Sequence, residues 1–398
     1  MIRRMFIVGL LGCFFTSQGF AKIQPEGALE KAYKVLHKYP VIDGHNDLPW
    51  NIREQYGEVP DLQRSHLEIE TGGETDIPKL RRGKVGGQFW SVWVPNDIKE
   101  GRYAKVQLEQ IDLVKRMVAQ YSDTFVFCTT AKQVKQAMRQ GKIASMLGIE
   151  GGHVIENSLP LLRMYYGLGV RYMTLTHSKT IDWADSATDK ARSDGLSDFG
   201  KTVIKEMNRL GMMIDLSHVS EKVMQDVLAL SQAPIIFSHS NAKAVSSHPR
   251  NVPDNILAQV KDNNGIVMVN FVSYFLTQES RQWAKTFFKK VQNPQQRSDV
   301  FKQAYEKDKQ LDIPPSVTVK HVADHIQHIR DVAGVDHIGL GGDFWGSGIT
   351  PDDLRDVSRY PYLFAELIER GWSDRDLAKL AQQNILRVMT DVEKVAKQ

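Results

Sequence analysis

Short, nearly continuous apolar runs that end in polar residues or glycine recur along this chain, with amphipathic stretches of helix length between them. The runs are Val41–Asp43, Gln88–Val94, Ala144–Ile149, Tyr172–Leu175, Met212–Leu216, Ile235–Phe237, Ile266–Asn270 and Ile338–Leu340. Strands read this way when both faces of a parallel sheet are buried. Eight such runs predict a closed (β/α)8 barrel. Thr124–Cys128 is a ninth strand candidate, set outside the barrel because no cluster of polar side chains follows it.

The helix boundaries agree with that pattern. Leu168-Gly169-Val170, Leu210-Gly211-Met212 and Ala333-Gly334-Val335 each read as a helix ending on glycine and running straight into a strand, since glycine takes the left-handed C-terminal conformation cheaply. Ser220 and Ser373 are predicted N-caps, with Glu221 and Asp376 in the turns that follow. The Gln/Lys/Arg-rich stretch 277–313 interrupts the alternation after the seventh strand. It reads as a solvated accessory insertion, with a helical pair, a lid or a homodimer contact as the alternatives. With no repeat or linker in view, residues 22–398 are expected to form one domain.

Residues 1–21 stand apart. Arg3 and Arg4 precede the apolar run Met5–Phe15, and the small-residue site Gly19-Phe20-Ala21 follows, the layout of a cleaved signal peptide. The run is well short of the ~20 residues a membrane-spanning helix needs. Arg3-Arg4-Met5-Phe6 partly resembles a twin-arginine signal, and Leu10-Leu11-Gly12-Cys13 a lipoprotein box; both rank below ordinary secretion. The expectation is an exported, periplasmic or secreted protein without stable membrane insertion. Removing Arg3 and Arg4 lowers the formal charge from +4 to +2, which gives no electrostatic reason to expect nucleic acid. Cys13 lies in the leader and Cys128 in an apolar run, so the mature chain has no disulfide and Cys128 reads as a small buried hydrophobe.

In such a barrel, the loops after the strands converge on one pocket. There the sequence places Asp43-Gly44-His45-Asn46-Asp47, Glu150, His177, His218, His239 and Asp343. Imidazole and carboxylate hold zinc, with manganese, cobalt or iron as alternatives. His45-x-Asp47 sets two ligands on one side of an extended strand end. His218 and His239 arrive from adjacent strands, and Glu150 makes a fifth ligand between the two pairs. That set suggests two ions sharing Glu150, chemistry that favours hydrolysis. A Gly-x-Ser-x-Gly elbow and a phosphate-binding loop are both absent. His321, His325 and His328 lack the glutamate a zincin helix needs and are read as structural or surface residues, at the wrong end of the barrel.

The blocks Val41–Trp50, Gly148–His153, Leu175–His177, Asp215–Ser220, Phe237–Ser240, Arg250–Asp254 and Gly341–Phe344 resemble, in order, those of the renal (membrane) dipeptidase family of zinc peptidases. The resemblance implies that His45 and Asp47 hold one zinc, His218 and His239 the other, and that Glu150 bridges them. It further implies that His177 stabilises the oxyanion, worth ~3 kcal/mol in comparable sites, and that Arg250 grips the free carboxylate of a dipeptide substrate. Asp343 would meet its amino end and pass a proton to the leaving amine. Relatives accept a D-residue at the C-terminal position. One departure is Trp345, where the family usually carries a second aspartate; a ring there is expected to narrow or reshape the pocket.

Two rivals remain at this level. A barrel hydrolase acting on cyclic amides or esters would commonly show His-x-His on the first strand, where this chain has His45-Asn46-Asp47. A non-catalytic exported peptide binder would have no need to keep every ligand together with His177, Arg250 and Asp343.

Overall fold

A computed structural model describes residues 27–98, 101–290, 314–346 and 349–396. The predicted leader 1–21 and the greater part of the predicted insertion, 291–313, lie outside the described residues. The strands are β1 (Val41–Asn46), β2 (Val85–Ser91), β3 (Phe125–Phe127), β4 (Ile143–Glu150), β5 (Val170–Thr174), β6 (Met213–Asp215), β7 (Ile236–Phe237), β8 (Ile266–Val269) and β9 (Ile338–Leu340). Every pairing is parallel, in the order β2-β1-β9-β8-β7-β6-β5-β4. Pairing of Gly87–Ser91 with Ala144–Gly148 then joins β4 back to β2 and closes a (β/α)8 barrel.

The ninth strand stays out of that ring, as its sequence predicts. β3 pairs only with the start of β4, at Ile143, Ala144 and Ser145, while β5 takes the same edge from Leu147 onward.

Alternation along the strands sorts the core into two layers. Ile42, Phe89, Met146, Tyr172, Met213, Ile236 and Met268 point into the barrel and form one buried cluster. Their neighbours Val41, Trp90, Leu147, Met173, Ile214, Phe237 and Val267 belong to the layer beneath the surrounding helices. Each aliphatic side chain buried this completely stabilises the fold by about 1.5–3 kcal/mol. The C-terminal helix Asn384–Val395 adds Ile385, Met389 and Val392 to the interior cluster. Its Arg387 bonds the carbonyls of Asn264 and Asp336, which precede β8 and β9, so this helix plugs the end of the barrel opposite the strand C-termini.

The predicted caps form: Ser220 Oγ accepts from Val223 N at 3.3 Å and Ser373 Oγ from Asp376 N at 3.2 Å. Gly211 closes its helix at φ 79°. Gly334 departs from expectation, because a 3-10 turn, Val335–His337, intervenes before β9. In the insertion, the helix Gln278–Lys290 is amphipathic rather than wholly solvated. It buries Ala284 and Phe287, with Trp283 stacked on Phe287 at 4.9 Å and Phe288 edge-on to Tyr274 at 5.7 Å.

Candidate metal centre

The C-terminal ends of the strands bring the sequence-predicted donors to one buried point. His45 sits on β1, Glu150 ends β4, His218 and His239 lie just past β6 and β7, and Asp343 follows β9. Asp47 differs from expectation in its backbone. It is not on an extended strand end but is the N-cap of the helix Leu48–Tyr56, at φ −91° and ψ 17°, and still turns its carboxylate toward His45. His218 and Asp343 hold left-handed backbones at φ 70° and 58°. For non-glycine residues this costs of order 1–3 kcal/mol, strain that collects at functional sites.

The Glu150 carboxylate lies between two sets of donors. Its Oε1 is 2.8 Å from His218 Nε2 and 3.2 Å from His239 Nε2, whereas its Oε2 is 3.6 Å from His45 Nε2. His45 Nε2 is 3.4 Å from Asp47 Oδ2 and 4.0 Å from Asp343 Oδ1. His218 and His239 bring their Nε2 atoms to 3.0 Å from each other. Three overlapping donor groups result: His45, Asp47 and Glu150; Glu150, His218 and His239; His45, His239 and Asp343. His45 Nε2 and Asp47 Oδ1 are buried with no hydrogen-bond partner, a cost that a bound cation would remove. Imidazoles and carboxylates facing each other at these distances fit divalent metal ions.

The charges of this pocket pull its groups apart. Burial works against the charged form of His45, but the Tyr172 oxygen, Asp47 and Glu150 outweigh it and hold the ring well above the usual histidine range. His218 and His239 are pushed well below that range, chiefly by burial and then by nearby cations including Arg250 and His177. Burial also raises the Glu150 carboxyl. It raises Asp343 well above the carboxylate range, helped by the charges of Asp47 and Glu150 and opposed by His45 and Arg250.

The remaining predicted residues ring this point. His177 brings Nε2 to 3.9 Å from Glu150 Oε1 and packs on the rings of His218 at 4.4 Å and Trp93 at 5.3 Å. Arg250 is buried over the Phe275 ring at 5.2 Å; its Nη2 donates to the His239 carbonyl at 3.3 Å, and its Nε has no hydrogen-bond partner. Trp345 turns its ring onto the loop 71–76: a Cβ at Gly73 would meet it at 2.3 Å, and its backbone N–H donates to Glu74 Oε2 at 2.5 Å. At the next position a Cβ on Gly346 would lie 2.0 Å from Asp343 Oδ1. A side chain at Gly346 would have to displace that carboxylate.

Several supporting groups carried no role in the sequence reading. Asn270 Nδ2 donates to Asp343 Oδ2 at 2.7 Å, Tyr172 meets His45, and Ser238 meets His239. Asn270 and Tyr172 sit inside runs that read simply as strands. Ser238 and Asp215 stand in the quoted blocks, so polar residues at otherwise apolar strand ends were the available signal.

The histidines set aside from the metal prove structural. His325 Nδ1 accepts from Ala242 N at 3.1 Å and its Nε2 donates to the Leu276 carbonyl at 3.0 Å. Those partners follow β7 and β8, so His325 buttresses the functional face and does not lie at the opposite end of the barrel as its sequence position predicts. His321 completes a capping box with Thr318, and His328 pairs with Asp254 at 2.8 Å. His153 donates from Nε2 to the Val94 carbonyl at 2.9 Å, since a carbonyl only accepts, and burial pushes the ring down to about 4. Burial lifts the Cys128 thiol to about 11, which makes it inert.

Comparison with known proteins agrees with this geometry. Residues 29–398 match the profile of the membrane dipeptidase family, peptidase family M19. Among solved structures, a metallo peptidase from Rhodobacter sphaeroides, bound to a phosphinate mimic of the dipeptide L-Ala-D-Ala, superposes with a TM-score of 0.74 at 25% identity, covering 89% of this chain and 99% of that one. The dipeptidase AC, a family M19 metallo peptidase, gives the same TM-score of 0.74 and identity of 25%, covering 89% and 98%. The probable dipeptidase PvdM from Pseudomonas aeruginosa shares the fold, with a TM-score of 0.79 at 24% identity over 94% of this chain and 100% of that one.

Proposed function

This chain belongs to the membrane dipeptidase family, peptidase family M19, and from that premise we propose that it is a two-zinc dipeptidase acting on dipeptides with both ends free. The observation that carries the reading is the division of Glu150, with Oε1 facing His218 and His239 and Oε2 facing His45. A carboxylate used from both sides is suited to bridging two cations. His45 and Asp47 would hold one, and His218 and His239 the other.

When bound, such a pair of ions lowers the pKa of an attacking water and polarises the scissile carbonyl. The chain's own residues supply the rest. His177 donates from Nε2 to the carbonyl oxygen as negative charge builds there. Arg250, buried and with an unsatisfied Nε–H, grips the substrate's terminal carboxylate with a planar guanidinium. Asp343, whose carboxyl is held well above the usual range, takes the proton released by the water and hands it to the departing amine as the C–N bond breaks. Asn270 holds the other oxygen of Asp343 and so aims it. Asp343 would also meet the free amino end of the substrate, and gripping both ends limits the substrate to two residues. A D-residue at the C-terminal position is compatible with a grip on the carboxylate alone, and the dipeptide mimic bound to the Rhodobacter sphaeroides peptidase is of that kind. Export through the leader 1–21 would place this activity outside the cytoplasm.

A panel of L-L and L-D dipeptides with their N-acetylated and C-amidated forms tests the reading. Turnover is expected for the free dipeptides, with at least about a hundredfold loss on blocking either end, the ~3 kcal/mol of a charged hydrogen bond. Equal turnover of blocked and free peptides, or turnover of cyclic amides or esters in their place, would sink it.

A further inference from the structure

Two imidazoles of the centre are each backed by a hydroxyl whose single proton is already committed. Tyr172 Oη lies 2.9 Å from His45 Nδ1 and donates to the Gly44 carbonyl at 3.1 Å. A carbonyl oxygen only accepts, so the bond between His45 and Tyr172 runs from ring N–H to phenol oxygen. Ser238 Oγ lies 2.8 Å from His239 Nδ1 and donates to Asp215 Oδ2 at 2.6 Å. The same reasoning leaves the proton of His239 on Nδ1. In the neutral form that binds a cation, both rings then turn an unprotonated Nε2 to the centre, the tautomer a metal ligand needs.

What stands behind each hydroxyl differs. Asp215 is buried and accepts from Ser217 N at 3.0 Å, Ser238 N at 2.8 Å, Ser238 Oγ at 2.6 Å and Thr174 Oγ. Those bonds lock it among β5, β6 and β7. The donor group of Glu150, His218 and His239 contains a single carboxylate, whereas that of His45, Asp47 and Glu150 contains two. Asp215 is the second negative charge on the poorer side, set one hydroxyl back. On the richer side a neutral tyrosine suffices. Tyr172 can reach across the barrel because Gly148 is its partner on β4: a Cβ there would stand 1.9 Å from the Tyr172 ring.

We infer that Ser238, backed by Asp215, and Tyr172 are positioning residues that divide between two ions, Ser238 serving the ion at His218 and His239 and Tyr172 the ion at His45 and Asp47. This rests on the two-ion reading proposed above.

The test is titration of the full metal-free chain with Zn2+ alone, in competition with a chromophoric chelator. The wild type is expected to fill in two steps. Ser238→Ala should weaken one step by about 10–100-fold and leave the other in place, the usual effect of removing such a partner. Tyr172→Phe should weaken the other step, the double variant both, and Ser238→Thr should recover most of the loss. Both single variants are built to fold, since Phe keeps the ring packed over Gly148 and Ala keeps the backbone bonds to Asp215. Unchanged steps, loss of the same step in both variants, or equal loss of both steps in either would overturn the relay assignment while leaving the two-ion reading intact. A one-step wild-type titration would overturn the two-ion reading itself, and the division between ions with it.

Discussion

Glu150→Gln is expected to lower kcat/KM for a free dipeptide by at least about 10³-fold, the ~4 kcal/mol that loss of an ion from a two-metal site removes from transition-state stabilisation. The substitution is isosteric, so the barrel should be unperturbed. What changes is the carboxylate's use from both sides, with Oε1 at 2.8 Å from His218 Nε2 and Oε2 at 3.6 Å from His45 Nε2. An amide has one oxygen to offer, and its NH2 group faces whichever ion the oxygen does not reach. Bound metal should therefore fall to about one equivalent, measured by elemental analysis beside the kinetics. Full metal content with full activity would show that Glu150 does not bridge.

Arg250→Lys is expected to act on recognition more than on chemistry. Arg250 is buried over the Phe275 ring, with His239's carbonyl taking Nη2 and Nε left without a hydrogen-bond partner. Lysine keeps the charge but loses the planar two-pronged grip. The kcat/KM for a free dipeptide should fall by about 10²-fold, within the 2–5 kcal/mol lost when a buried charged pair is truncated. Hydrolysis of the matching C-terminal amide, which offers no carboxylate, should barely change. The ratio of the two substrates is the readout, and a ratio equal to the wild type's would remove Arg250 from the carboxylate site.

How far these roles were legible in sequence depended on the distance their physics spans. The eight barrel strands stand out because parallel strands buried on both faces become unbroken apolar runs, and the donors stand out because each follows such a run. β3 is separable for the same reason, since no cluster of carboxylate and imidazole side chains follows Thr124–Cys128. The local reading failed where the chain bends or reaches across. The spacing His45-x-Asp47 predicts an extended strand end, yet Asp47 caps the start of a helix, which no two-residue spacing reveals. Tyr172 reads as one more buried aromatic on its strand; its role appears only when β5 and β1 face each other across a closed barrel and Gly148 clears the path. Glu74 lies on a loop with no periodicity, and its bond to Trp345 N joins residues far apart in the chain. His325 shows helical spacing, but its partners Ala242 and Leu276 belong to the separate segments that follow β7 and β8.

The most direct test of the account is reconstitution: dipeptide hydrolysis followed while Zn2+ is added back to chelator-treated protein. Negligible turnover is expected in the metal-free chain, with full activity only as about two equivalents bind. Turnover that survives complete metal removal, or a chain that binds two equivalents and the dipeptide without hydrolysing it, would contradict it.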